Sequence, residues 1–207
     1  MDKAFHQQNR QELYRSLPAD SLLLLFSGRA PRKTSDEDYP FFADRSFVYY
    51  TGIEQADSVL AACKGGDSVS ETLFLLPKDD YLERWNGRRL SPEEARDRSA
   101  LENIRPNSEF LPFLEKLIAG GLTTICLDFD RRRIDEQPVR HAIQLAAWLG
   151  THYPFVRLEN IHQRIAGQRT IKKPCEIEAM RYAETITRDG ILAMMRAARD
   201  GIYEYQL

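Results

Sequence analysis

The sequence predicts an α/β fold, a sheet covered by helices, and three observations carry that prediction. Ser21 to Phe26 is a continuous apolar run between Asp20 and Gly28, the pattern of a strand buried on both faces. Thr123 to Phe129 is a second such run, rich in β-branched residues. From residue 71 onward, strand-like and helix-like segments alternate, as layered α/β folds require. The chain has 207 residues, 43% of them hydrophobic and 29% charged, which suits one substantial core and a length of one domain or one and a half.

The elements follow in order. Residues 2–17 set Phe5, Leu13 and Leu17 among polar residues and predict a surface helix ending before Pro18. After the strand Ser21 to Phe26, residues 28–40 carry Pro31 and Pro40 and read as a long loop. Tyr39, Phe41, Phe42, Phe47, Tyr49 and Tyr50 then form an aromatic cluster. With Arg45 beside it the cluster could stack nucleobases, but no basic or Gly-rich repeat accompanies it, so core packing or an oligomer interface is the favoured reading. Asp57 to Cys63 and Glu71 to Leu76 flank Gly65-Gly66-Asp67 and predict a β-hairpin. Asp79 to Trp85 and Pro92 to Arg98 read as short helices, the second with Ser91 as N-cap and Pro92 in its first turn. Asn107 or Ser108 caps a helix through Ile118 that Gly120-Gly121 stops.

Beyond the strand Thr123 to Phe129, Val139, Ala142, Ile143, Ala146 and Leu149 recur at helical spacing and predict a helix over Pro138 to Leu149. A short strand at Phe155 to Leu158 and a short helix at Asn160 to Ala166 complete the first part. The polar, basic stretch Gly167 to Lys173 reads as a linker. Pro174 opens the longest helix, with Glu176 and Glu178 near its start where carboxylates favour the dipole. Its stripe of Ile177, Met180, Ala183, Thr187, Ile191, Met194 or Met195, and Ala198 demands a partner surface. After Asp200-Gly201, Tyr203 to Leu207 reads as the opening of another element with no closing cap, so the sequence is expected to be part of a longer protein.

Several functions are disfavoured by composition. A net charge of −2 offers no general attraction to nucleic acid or to an anionic membrane, so neither is expected as a partner. The longest apolar run, Leu22 to Phe26, is far shorter than the ~20 residues of a membrane span. Met1 to His6 carries no signal-peptide core. Cys63, Cys126 and Cys175 are widely spaced, as reduced thiols of a cytoplasmic protein would be. There is no GxSxG, GxxxxGK[ST] or GxGxxG. His6, His141, His152 and His162 show no ligand pairing. Asp128 and Asp130 share a face at strand period, yet read best as acids ending a strand, with Arg131, Arg132 and Arg133 as counter-charges. Cys63 and Cys126 lie in strand-like runs, where inert buried thiols are the norm. Arg131 to Arg133 and Lys172-Lys173 read as solvated loop charges. Trp85-Asn86-Gly87-Arg88-Arg89 stands out as a Trp, a turn and two arginines in a connection, where binding groups concentrate, although spacing alone favours a surface turn with a half-buried Trp.

Several segments in order resemble the Xaa-Pro aminopeptidase (aminopeptidase P) family of metallopeptidases, which includes prolidase and creatinase. Asp38-Tyr39-Pro40-Phe41 and Phe47-Val48-Tyr49-Tyr50-Thr51-Gly52-Ile53 resemble one family stretch. Glu71 to Pro77 followed by Trp85-Asn86-Gly87-Arg88-Arg89-Leu90 resembles a second. Ile171-Lys172-Lys173-Pro174-Cys175-Glu176-Ile177 to Met180-Arg181 resembles the opening of the family's catalytic domain, and Gly201 to Leu207 the segment just beyond. Phe42 departs from the pattern, since the family often has Arg after this Phe.

The resemblance implies a creatinase N-terminal-like, ribonuclease H-like mixed sheet flanked by helices over residues 1–166. A linker over 167–173 and the first helix of a truncated pita-bread domain over 174–207 would follow. In the family the pita-bread domain holds two divalent metal ions, usually manganese, that activate water against an X-Pro bond. All five of those ligands are expected beyond Leu207, so no catalytic or metal residue is assigned and the fragment by itself is expected to be inactive. The implied role is a non-catalytic N-terminal domain that serves homo-oligomerisation and shapes access for peptides with proline second. Trp85, Arg88 and Arg89 are the candidate residues of that substrate-access rim or interface, with the aromatic segment 39–50 packing the core behind them. Two other readings stay open: a stand-alone binding or dimerisation module, and the N-terminal part of a pseudo-peptidase without metal.

Overall fold

The run Ser21–Phe26 becomes β1, the strand around which the rest is arranged. β1 pairs antiparallel with β2 (Val59–Gly65) on one side and parallel with β5 (Thr124–Leu127) on the other. The sheet extends through β3 (Ser68–Leu75) to β4 (Ile104–Pro106), and beyond β5 to β6 (Arg157–Asn160), giving the order β4-β3-β2-β1-β5-β6. β3 is antiparallel to β2, β4 is parallel to β3, and β6 is parallel to β5. Among the described residues only β2 therefore opposes the other strands, and the remaining five end at one edge of the sheet. The computed structural model describes residues 1–130 and 140–207.

Period-two alternation explains why β1 is apolar throughout. Leu23 and Leu25 face a layer made by α1 (Lys3–Ser16), α2 (Arg45–Thr51), α4 (Pro92–Ser99) and α7 (His162–Thr170), where Phe5, Leu13, Phe47, Tyr50 and Ile165 pack. Leu22 and Leu24 face α5 (Phe110–Ala119) and α6 (His141–His152), meeting Phe110, Leu114, Ile118 and Leu145. Each fully buried leucine contributes about 1.5–3 kcal/mol. The mixed sheet flanked by helices is the predicted fold class.

Several elements differ from the sequence reading. α1 is not a purely surface helix. It buries Arg10, 1% exposed, whose Nε donates to Glu71 Oε1 at 2.6 Å and whose Nη1 donates to Tyr50 O at 2.8 Å and Ser99 O at 2.9 Å. A buried guanidinium is tolerable only with such partners. Tyr14 Oη donates to the same Glu71 oxygen at 2.7 Å, and burial, then that carboxylate, pushes its phenol well up. β6 starts two residues late because Val156 N–H donates to Tyr153 O at 2.9 Å, closing a turn where a strand was expected. α7 runs to Thr170, so the first four residues of the expected linker are helical. Pro138 and Val139 of the expected α6 start, and the Arg131–Arg133 counter-charges, lie outside the described residues.

Residues 2–168 cluster as one unit, and residues 169–207 belong to a second. In the second, α8 (Pro174–Ala197) begins where Lys173 N–H donates to Glu176 Oε2 at 2.9 Å, and none of its residues is buried. Residues 203–207, expected to open another element, hold a 3-10 turn at Glu204–Gln206.

Candidate functional site

The common carboxyl edge of β1, β3, β4, β5 and β6 gathers the loops richest in exposed aromatic and charged residues. The segment from Leu76 to Ser91, leaving β3, is the most elaborately built. Asp79 Oδ1 accepts from Tyr81 N–H and Leu82 N–H, both at 3.0 Å, starting the turn that leads into α3 (Glu83–Asn86). Gly87 ends α3 at φ 85°, a left-handed backbone value that favours glycine. The returning strand of the loop then reaches Ser91, whose Oγ accepts from Glu94 N–H at 3.2 Å while Glu94 Oε2 accepts from Ser91 N–H at 2.9 Å. That reciprocal pair is the predicted cap of α4.

The three sequence-predicted residues all lie on this loop, but the structure gives them different surroundings. Trp85 is 77% exposed, with Tyr81 and Leu82 also exposed nearby in sequence. Arg88 Nη2 donates to Glu94 Oε1 at 2.6 Å, and Arg89 Nη1 donates to Pro77 O at 2.6 Å. Arg88 and Arg89 are thus tied into the loop, and the Trp85 indole is exposed. Sequence reasoning missed Gln55, which touches both ends of the loop: its Nε2 donates to Leu76 O at 3.3 Å and its Oε1 accepts from Leu90 N–H at 2.7 Å. A glutamine in a short connection carries no periodic or motif signal.

The aromatic segment divides. Phe47, Tyr49 and Tyr50 are buried on α2, as expected of a core cluster, whereas Tyr39 and Phe42 are exposed, Phe42 by 75%. The reading that all of 39–50 packs the core is therefore corrected. Asp44 starts the helix by accepting from Ser46 N–H at 2.9 Å and Phe47 N–H at 3.1 Å, and only residues after it follow a helical face inward. Burial pushes the Asp44 carboxyl up, against the pull of Phe47 N–H, and the Asp128 charge adds to the rise. A crevice of about 720 Å³ opens at the ends of β1 and β5. Its arginines are matched by acids: Arg29 with Asp57 at 2.8 Å, Arg32 with Asp38 at 3.4 Å and Arg45 with Glu54 at 3.3 Å.

Asp128 and Asp130 do share a face, and both approach His162 at the start of α7, Asp128 at 2.8 Å and Asp130 at 3.7 Å. Arg140 lies 3.5 Å from Asp130. Among the described residues, no group of three or more His, Cys, Asp or Glu is arranged to hold a metal ion. Burial raises the Cys63 and Cys126 thiols, which keeps them protonated and unreactive. No helix among the described residues is long and apolar enough to cross a membrane.

The sequence signature "Aminopeptidase P, N-terminal domain" matches residues 6–126. The Xaa-Pro aminopeptidase of Haemophilus influenzae is 28% identical over 212 residues, covering 100% of this chain and 46% of that protein. The Escherichia coli Xaa-Pro aminopeptidase is 26% identical over 97% of this chain and 46% of its own. A Bacillus anthracis protein assigned as an aminopeptidase P superposes with a TM-score of 0.88 at 31% identity, over 92% of this chain and 46% of that one. Aminopeptidase P from E. coli, solved with the inhibitor Pro-Leu, shares the fold with a TM-score of 0.83 at 24% identity, over 100% and 47%. The chain thus spans about half the length of the relatives it matches.

Proposed function

The chain belongs to the aminopeptidase P family, and from that premise we propose that it serves an Xaa-Pro aminopeptidase as its non-catalytic N-terminal half. The whole protein would remove the first residue from peptides with proline in second position. Two divalent metal ions, manganese by the family resemblance, would polarise the scissile bond and activate water from a pita-bread domain that opens at residue 174. Residues 1–166 would form the N-terminal domain, with 167–173 as the connection. The rest of that catalytic domain would cover the exposed stripe of α8. The working compartment would be the cytoplasm.

The observation that carries the reading is Trp85. A free-standing surface turn has no need to expose an indole on a loop tied down at Asp79, Arg88, Arg89 and Glu94. Tryptophan is a large, rigid contact group, enriched where proteins bind peptides and one another. Trp85 with Arg88 and Arg89 would form part of the rim that narrows access to the catalytic cleft, of the same subunit or of a neighbour in a homo-oligomer. The arginines position the rim and the indole touches the peptide or the partner surface. The test is the full-length protein on paired peptides, X-Pro-Ala and X-Ala-Ala, with and without a chelator. Chelator-sensitive cleavage of the proline peptide alone is expected, and a full-length protein that cleaves neither peptide overturns the reading.

A further inference from the structure

We infer that Gln55 is a positioning residue for the Trp85 loop, a clamp that closes the loop's two ends and so presents the indole. The inference rests on the rim reading above and adds a residue that no motif or resemblance singled out. Leu76 is the first residue after β3 and Leu90 immediately precedes the Ser91 cap of α4, and one side-chain amide joins them. Gln55 Nε2 donates to Leu76 O at 3.3 Å, and Leu90 N–H donates to Gln55 Oε1 at 2.7 Å. A carbonyl can only accept and an N–H can only donate, so the two partners fix which way the amide faces.

Gln55 is itself held. Ser58 Oγ donates to Gln55 O at 2.8 Å, and Asp57 N–H donates to Gly28 O at 2.9 Å, which stitches this connection to the loop leaving β1. Arg89 Nη1 to Pro77 O supplies a second rung one residue further out along the same loop. Both rungs close a long excursion whose apex carries α3 and Trp85. Closing a loop removes conformational entropy before any ligand arrives, and that preorganisation lowers the cost of binding at the apex. No other side chain of this length does both jobs. Glutamate cannot donate to Leu76 O, lysine and arginine cannot accept from Leu90 N–H, and asparagine is one methylene shorter.

The test uses the full-length protein and X-Pro-Ala hydrolysis in a cycle of Gln55→Ala, Trp85→Ala and the double variant. Gln55→Ala removes both hydrogen bonds and is expected to raise KM about fivefold with kcat within about twofold, because the loosened loop presents the indole less often. Gln55→Glu, which keeps the bond from Leu90, is expected to fall between wild type and Gln55→Ala. In the Trp85→Ala background, Gln55→Ala should add nothing further. Additive effects, or an unchanged KM in Gln55→Ala when Trp85→Ala raises it, overturn the clamp. Hydrogen exchange of the amides at 79–90 separates this inference from the rim reading. Faster exchange there in Gln55→Ala, by about tenfold, supports the clamp even if Trp85→Ala proves kinetically silent, in which case the rim reading alone fails. Unchanged exchange overturns the clamp whatever the kinetics.

Discussion

Glu94 shows how much one carboxylate settles on this edge. One oxygen accepts from Ser91 N–H, starting α4, and the other from Arg88, so helix and loop share an anchor. The Ser91 N–H bond, then Arg88, hold its carboxyl below the usual range. His6 is a buried counterpart on the core side of α1. Its Nδ1 lies 2.9 Å from Tyr49 O, and because a carbonyl only accepts, Nδ1 carries the proton. Its other face leaves no room for a side chain at position 52, where a Cβ would come within 2.7 Å of Nε2, and Gly52 also sits at φ +69°. Burial lowers the His6 and His141 imidazoles below 6.5. The native state therefore stays neutral at these rings while the unfolded chain takes up protons, so stability is full above pH 6.5 and falls as the pH drops below it. Melting temperature measured from pH 7.5 down to 5 should decline over this window, and His6→Gln should flatten the slope. An unchanged slope in that variant would remove His6 from the account.

At the scale of elements, the sequence was most legible where patterns are local. The Leu22–Phe26 run, the Gly65-Gly66-Asp67 turn and the Ser91-Pro92 start each stand where the residues place them, in β1, the β2–β3 hairpin and α4. The cap of α4 is testable: Ser91→Ala should destabilise the protein by about 1 kcal/mol, lowering the melting temperature by about 2–4 °C, and no change would show the cap to be idle. Elements fixed by distant partners were less legible. α2 is seven residues of aromatic and β-branched character with only Asp44 and Gly52 as boundary signals. The burial of Arg10 depends on Glu71, 61 residues away, and no local window contains both. α7 extends beyond its apolar residues because Gln168 is fully used. Gln168 Oε1 accepts from Tyr50 Oη at 2.8 Å, and its Nε2 donates to Asn9 O at 2.9 Å.

For the molecule as a whole, one topological fact organises the candidate site: β2 alone runs against its neighbours, so the loops after β1, β3, β4, β5 and β6 leave from a common edge. Trp85, Tyr81, Tyr39 and Phe42, the exposed aromatics of those loops, follow from it. Composition and spacing marked the Trp85 turn as unusual but could not say what it does, because an exposed indole is neither a catalytic motif nor a periodic signal. The role proposed for it rests on the family resemblance, and its construction rests on side-chain contacts that only the fold brings together, Gln55 above all. The central claim is that this N-terminal domain shapes peptide access through Trp85. The most direct measurement is kcat/KM for X-Pro-Ala in the full-length protein and its Trp85→Ala variant, with the oligomeric state recorded for each. A drop of about fivefold or more, carried by KM or by loss of assembly, is the predicted result. Unchanged kinetics in an unchanged oligomer would contradict the account.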